Sequence, residues 1–199
     1  AAQWEGLAAI CRITIADIKR LELGQRQVAR LAFAFGAAID GPVVEDCELT
    51  WFEEPVTADD KRGLAEVRAS TSVPIAVGES EFTRFDFLDI AQRGGADFFQ
   101  PDLAICGGIS EAMRIGTIAS AFNLRLAPHL WTGALAFAAG LHVTAACPAG
   151  YILEYSLGAN PLLHELAREQ FTVQDGHVWC HAGEATVELS LVPLLPSSE

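Results

Sequence analysis

The sequence predicts an α/β fold class: a partial TIM-type (β/α) barrel on a parallel sheet, with about five βα units and a C-terminal β-hairpin appendage. Three observations carry this expectation. Five apolar segments each end in an ionisable residue and recur at a pitch of roughly 25 residues, the length of one strand plus one helix. The stretches between them carry helical patterns bounded by caps and breakers, and alternating strands and helices imply a parallel sheet. The last 40 or so residues abandon that rhythm and read as antiparallel β-structure.

The elements follow in order. Strand 48–53 ends the run Thr50-Trp51-Phe52-Glu53-Glu54-Pro55, and a helix near 57–69 opens with the acidic first turn Ala58-Asp59-Asp60. Strand 74–78 ends at Glu79 and precedes a helix near 83–93. Strand 97–100 leads through Asp102 and Gly107-Gly108 to a helix near 110–122, with Ser110 as N-cap. Strand 124–127 ends at Pro128-His129 before a helix near 133–146, and strand 151–154 ends at Glu154. Phe52, Val77, Phe99 and Leu126 are expected on the inner face of the sheet. In the tail, Phe171–Gln174 and His177–Cys180 flank Asp175-Gly176 as a hairpin, with a further strand over 187–190. Residues 1–47 do not follow the pitch: 12–23 reads as extended and 27–38 as a helix. The division expected is an atypical segment over 1–47, the partial barrel over 48–158, and a segment returning to a capping region over 159–199.

Composition narrows the function. A net charge of −13 disfavours nucleic acid and anionic membrane as partners. The sequence shows neither an 18-residue apolar span nor a signal-peptide pattern. Five dispersed cysteines without C-x-x-C read as reduced thiols, and the expected location is cytoplasmic.

The chemistry sits at the strand tips. Glu53 and Glu79 end neighbouring strands, and two converging carboxylates repel unless a cation or proton lies between them; oxygen donors of this kind suit Mg²⁺. Asp102 and His129 end the next two strands, and an Asp beside a His fixes its tautomer and raises its basicity. Glu154 reads either as a hydrogen-bonding partner for a substrate carboxylate or as one member of a surface ion pair. Two weaker patterns stand beside these. His177, Cys180 and His181 resemble a zinc set, but strand alternation puts Cys180 on the opposite face. Gly107-Gly108 before a helix resembles a phosphate cradle only weakly, and a tight βα turn explains it better.

Taken together, Trp51-Phe52-Glu53-Glu54-Pro55, Gly78-Glu79-Ser80, Gln100-Pro101-Asp102 with Gly107-Gly108, Pro128-His129 and Leu153-Glu154-Tyr155 resemble the C-terminal barrel of the enolase superfamily, in its mandelate racemase/muconate lactonizing enzyme branch. The resemblance implies a Mg²⁺-dependent lyase or isomerase that removes the proton α to a carboxylate. It implies Glu53 and Glu79 as metal ligands, His129 as base or acid with Asp102 as its partner, and Glu154 as hydrogen-bonding residue for the substrate carboxylate. The implied partner is a small hydroxy acid or acid sugar, and the implied assembly a homo-oligomer. Two features of the family are absent: the Lys-x-Lys strand, and the Asp-x-Asn strand that supplies the first metal ligand. Asp40, Glu45 and Asp46 lie too close to Glu53 to replace that ligand. Without the lysines a two-base racemisation lacks its second base, so dehydration is favoured, with racemisation behind it. The rival expectation is a catalytically inactive, truncated homologue serving as a structural or oligomeric partial barrel. On either reading, a five-stranded parallel sheet is expected to leave open edges beside strands 48–53 and 151–154, so that the chain self-associates, buries its open side under residues 1–47, or is poorly stable alone.

Overall fold

A computed structural model describes residues 30–32, 50–156, 159–167, 171, 173–174, 177–182 and 185–194. Five short strands form a parallel sheet in chain order: β1 (Arg30–Ala32), β2 (Trp51–Glu53), β3 (Ile75–Val77), β4 (Phe98–Phe99) and β5 (Arg125–Leu126). The helices of the crossover connections are α1 (Lys61–Ser70) between β2 and β3, α2 (Thr83–Arg93) between β3 and β4, and α3 (Gly108–Ala121) between β4 and β5. After β5 come α4 (Ala134–Ala146), β6 (Leu153–Ser156) and the short α5 (Pro161–His164). The tail forms β7 (Val173–Gln174), β8 (His177–Ala182) and β9 (Ala185–Leu194).

Local chemistry sets the helix ends. Asp60 caps α1, its Oδ1 accepting from the Gly63 amide at 2.8 Å, so it works as a cap and not as a first-turn acid. Gly94 ends α2 in the left-handed region at φ 68°, and the Gly95 amide closes onto the Ile90 carbonyl at 3.0 Å. The start of α3 differs from expectation. Gly107 (φ 113°) is its N-cap and Ser110 lies inside the helix, because two glycines in left-handed geometry turn the chain earlier than a serine cap would.

The sheet has two apolar faces. The larger cluster packs the helices on its outer side and includes Ile75, Val77, Phe87, Phe99, Ile115, Leu126 and Phe137. A second cluster of Trp51, Ala76, Phe98, Ala127 and Ile152 fills the other face. The expectation for the inner face was therefore wrong by one residue: Val77, Phe99 and Leu126 belong to the helix-facing cluster, and Phe52 packs against it. Alternation along a strand explains the difference, since side chains sharing a face with Glu53 must be two residues apart, which selects Trp51. Burial of each large aromatic contributes about 1.5–3 kcal/mol, and Phe87 meets Phe99 edge-on with ring centroids 5.0 Å apart.

Both expected sheet edges are covered. On one side β1 pairs in parallel with β2, placing Ala32 beside Glu53. Within the range 27–38 expected to be helical, the described residues 30–32 are instead a strand, paired in parallel along the edge of β2. On the other side, Leu126 receives the chain before β6 through the Leu126 amide to the Ala149 carbonyl (2.8 Å) and the Tyr151 amide to the Leu126 carbonyl (2.9 Å). β9 then pairs in parallel with β6, Glu154 lying beside Val192. The tail is accordingly part of the sheet system and more than an appendage, while its expected hairpin is present, with Val173 opposite Val178. The expectations for residues 12–23, Asp40, Glu45 and Asp46 lie outside the described residues.

Candidate active site

The C-terminal ends of β2 to β6 bring the tip residues to one rim. Glu53 closes β2, fully buried, and its Oε2 accepts from Trp51 Nε1 at 2.9 Å and from Gln100 Nε2 at 2.9 Å. Gln100 follows β4, and the same Nε2 donates to Glu154 Oε1 of β6 at 2.9 Å. Glu154 is fully buried too. These three side chains share the face lined by Trp51, Phe98 and Ile152.

The second group centres on His129. Its Nδ1 lies 2.8 Å from Asp102 Oδ2. Asp102 also accepts from the Ala104 amide (2.7 Å) and from Thr132 Oγ1 (3.2 Å). An ionised carboxylate only accepts, so Nδ1 carries the proton and Nε2 is the imidazole's basic atom. Nε2 faces Glu79 Oε2 at 3.4 Å. Glu79 reaches that place because Gly78 turns the chain at φ 140° immediately after β3; a Cβ on Gly78 would stand 2.6 Å from Phe87 Cε1. The Trp131 ring stands edge-on to the imidazole, centroids 6.5 Å apart, and is largely exposed.

Electrostatics follow from this crowding. Burial by itself would lower the His129 pKa, but the Asp102 hydrogen bond and the charges of Glu154 and Glu79 outweigh it and raise the group above its ordinary value. Burial raises the Asp102 carboxyl, yet the His129 hydrogen bond and the Ala104 amide together hold it below the usual range. Glu54 is pushed up to about 7 by burial first and then by the Glu79 charge. It adopts left-handed geometry at φ 42° directly after β2.

The described donors do not complete a magnesium site. Among the described residues no group of three His, Cys, Asp or Glu side chains could hold a metal ion. The resemblance calls for a third carboxylate on the strand before β2, but the strand that pairs there is Arg30-Leu31-Ala32. One Glu53 oxygen is already engaged by two N–H donors.

The expected residues therefore fall into two linked sets, Glu53 with Glu154 and Asp102 with His129 and Glu79. Sequence reasoning quoted Gln100 within a motif but gave it no role, and it gave none to Glu54 or Trp131. For Gln100 the signal was available: it stands two residues before Asp102, hence on the same face. The Gly107-Gly108 turn carries a buried acid one turn into α3. Glu111 accepts from the Arg84 amide (2.9 Å) and pairs with Arg84 (2.7 Å) and Arg114 (2.8 Å). A carboxylate at that helix start opposes a phosphate.

Comparison with known proteins identifies the family. The profile described as enolase C-terminal domain-like matches residues 20–184. The chain belongs to that family. D-galactonate dehydratase of Pectobacterium atrosepticum is 31% identical over 188 residues, covering 83% of this chain and 49% of that protein. D-galactarolactone cycloisomerase of Agrobacterium fabrum is 34% identical over 138 residues, covering 65% of this chain and 36% of its own. The crystal structure of 3,6-anhydro-D-galactonate cycloisomerase from Zobellia galactanivorans superposes with a TM-score of 0.65 at 30% identity, covering 69% of this chain and 39% of that one. The chain thus spans about half the length, or less, of the curated relatives it matches.

Proposed function

We propose that this chain carries the proton-transfer half of an enolase-superfamily active site, acting on an acid sugar or related hydroxy acid by removal of the proton α to the carboxylate. The observation that supports this most is the His129–Asp102 contact at 2.8 Å, with Glu79 Oε2 3.4 Å from Nε2 and the buried Glu154 acting on the imidazole charge. Asp102 holds the proton on Nδ1, so Nε2 takes the α-proton, and the resulting imidazolium lies between Asp102 and Glu79. In dehydration the same Nε2 returns that proton to the leaving β-hydroxyl, so one residue serves both steps. Names among the relatives favour dehydration over racemisation and point to galactonate-like acids. Glu154 meets the substrate carboxylate. Family resemblance makes Mg²⁺ the associated cation, with Glu53 and Glu79 as its candidate ligands. Among the described residues the donor set for that cation is incomplete.

A second reading, an inactive partial barrel with a structural or oligomeric role, draws on the alanine beside Glu53. Exchange of the α-proton of D-galactonate in D₂O, followed by NMR with MgCl₂ and again with chelator, separates the two. Exchange that disappears in His129→Asn supports the first reading. Absence of exchange in the unmodified chain under both conditions supports the second.

A further inference from the structure

The amide of Gln100 joins two carboxylates from strands distant in sequence. Gln100 directly follows β4, and its partners Glu53 and Glu154 are 47 and 54 residues away, on β2 and β6. Each lies two strands from Gln100, on either side. All three side chains are buried to about 1% exposure or less. Both contacts are made by Nε2 at 2.9 Å. Carboxylates accept and amide nitrogens donate, so the orientation of this amide is dictated by its neighbours: the flipped form would set Oε1 against two acceptor oxygens.

Gln100 is itself not fully satisfied. Among the described residues its Oε1 is buried without a hydrogen-bond partner. Orphaned buried acceptors are rare in folded proteins and call for an explanation. The backbone around it is fixed: its amide bonds the Val77 carbonyl at 2.8 Å, and a Cβ at position 78 would lie 3.0 Å from its backbone nitrogen and carbonyl carbon. The side chain is therefore held rigidly in a position that serves the two glutamates better than it serves itself.

We propose that Gln100 is a positioning residue that clamps Glu53 and Glu154 across the inner face of the sheet and fixes their relative orientation at the substrate-carboxylate site. This deepens the proposed function and rests on it for its catalytic consequence. The clamp itself is a structural arrangement that stands apart from activity.

Two measurements test it. In the ¹⁵N-labelled chain, the side-chain NH₂ of Gln100 should give two resolved, slowly exchanging signals, and both should shift in Glu53→Gln and in Glu154→Gln. A Gln100 amide that exchanges like a free glutamine and ignores both substitutions overturns the clamp. This readout keeps Gln100 intact, so it does not depend on a variant at that position folding. In kinetics, Gln100→Leu should lower kcat for α-proton exchange about 10–100-fold, the range for residues that orient a reacting group, with KM little changed. Gln100→Glu, which puts a third acceptor between two others once ionised, should fall further below the parent chain than Gln100→Leu does, by a margin that widens as pH rises. Wild-type kcat in both variants overturns the positioning role. An unmodified chain without exchange would defeat the proposed function alone, and the amide signals would still decide the clamp.

Discussion

At the scale of single residues, the hydrogen bond from His129 to Asp102 fixes both a tautomer and the sign of a pH dependence. Burial opposes charge on the imidazole, but Asp102, Glu154 and Glu79 prevail and raise its pKa above the ordinary 6.5. A group raised on folding stabilises fully below its unfolded value and loses that contribution as pH rises through the folded one. Removing the Glu79 charge should move the His129 midpoint down. An NMR titration of the imidazole in cation-free buffer checks this: the midpoint should lie above 6.5 in the unmodified chain and fall in Glu79→Gln, and a midpoint that holds or climbs in the variant contradicts the assignment. A deprotonated Nε2 is also what base chemistry needs, so α-proton exchange should increase with pH through the same midpoint. The tip residues Glu53, Glu79, Asp102, His129 and Glu154 were legible because each directly ends an apolar run. The face of Gln100 could be read from Asp102 two residues on, but its partners could not, because those contacts exist only once β2 and β6 are brought to either side of β4.

At the scale of elements, the turns after the strands hold the site in place. Gly78 combines φ 140° with a space that Phe87 and the Gln100 backbone already fill. Gly78→Ala should therefore destabilise the fold by about 1–3 kcal/mol, the usual cost of forcing a side chain into that backbone region, and should displace Glu79 from His129. Urea unfolding checks the first consequence, and a midpoint equal to wild type would deny it. Glu111 ties α3 to the start of α2 through the Arg84 amide and guanidinium. That amide and the hydrogen bond from Arg114 hold its carboxyl down to about 2, against an ordinary 4.5. Its contribution is thus present above 4.5 and is lost as pH falls through about 2. Glu111→Gln should melt lower than the parent at neutral pH, and the gap should close in strong acid; a gap independent of pH would show that the ion pairs are not its source. The βα rhythm was readable because each crossover has its own breakers. The face of each strand was misread by one residue: Phe52, Val77, Phe99 and Leu126 were expected inward, whereas parity with the ionisable tips points to Trp51, Phe98 and Ile152. The strand at 30–32 was read as helix because its only reason for being extended is a partner edge some 20 residues away in sequence.

At the scale of the whole molecule, the sheet is longer than its regular βα units. Five units leave two parallel edges, and the chain closes both with segments outside the repeat, β1 against β2 and β9 against β6. Cover from within residues 1–47 was among the expectations, but the closure by β9 was not legible: β9 lies beyond the antiparallel turn from β8, and nothing in its own residues declares a parallel neighbour more than 30 positions earlier. The consequence is that stability and the site depend on the same strand pair, since Glu154 lies beside Val192 in that pairing. An uncovered parallel edge presents unpaired amides and carbonyls to other chains. Removing residues 185–199 should therefore free the edge of β6, loosen Glu154 from Gln100, and convert the chain into self-associated or aggregated material. Light scattering coupled to size exclusion, at equal concentrations of full and shortened chain, reads the outcome directly. A shortened chain that keeps both the mass distribution and the melting temperature of the full one would mean that β9 neither protects the sheet nor supports the carboxylate end of the site.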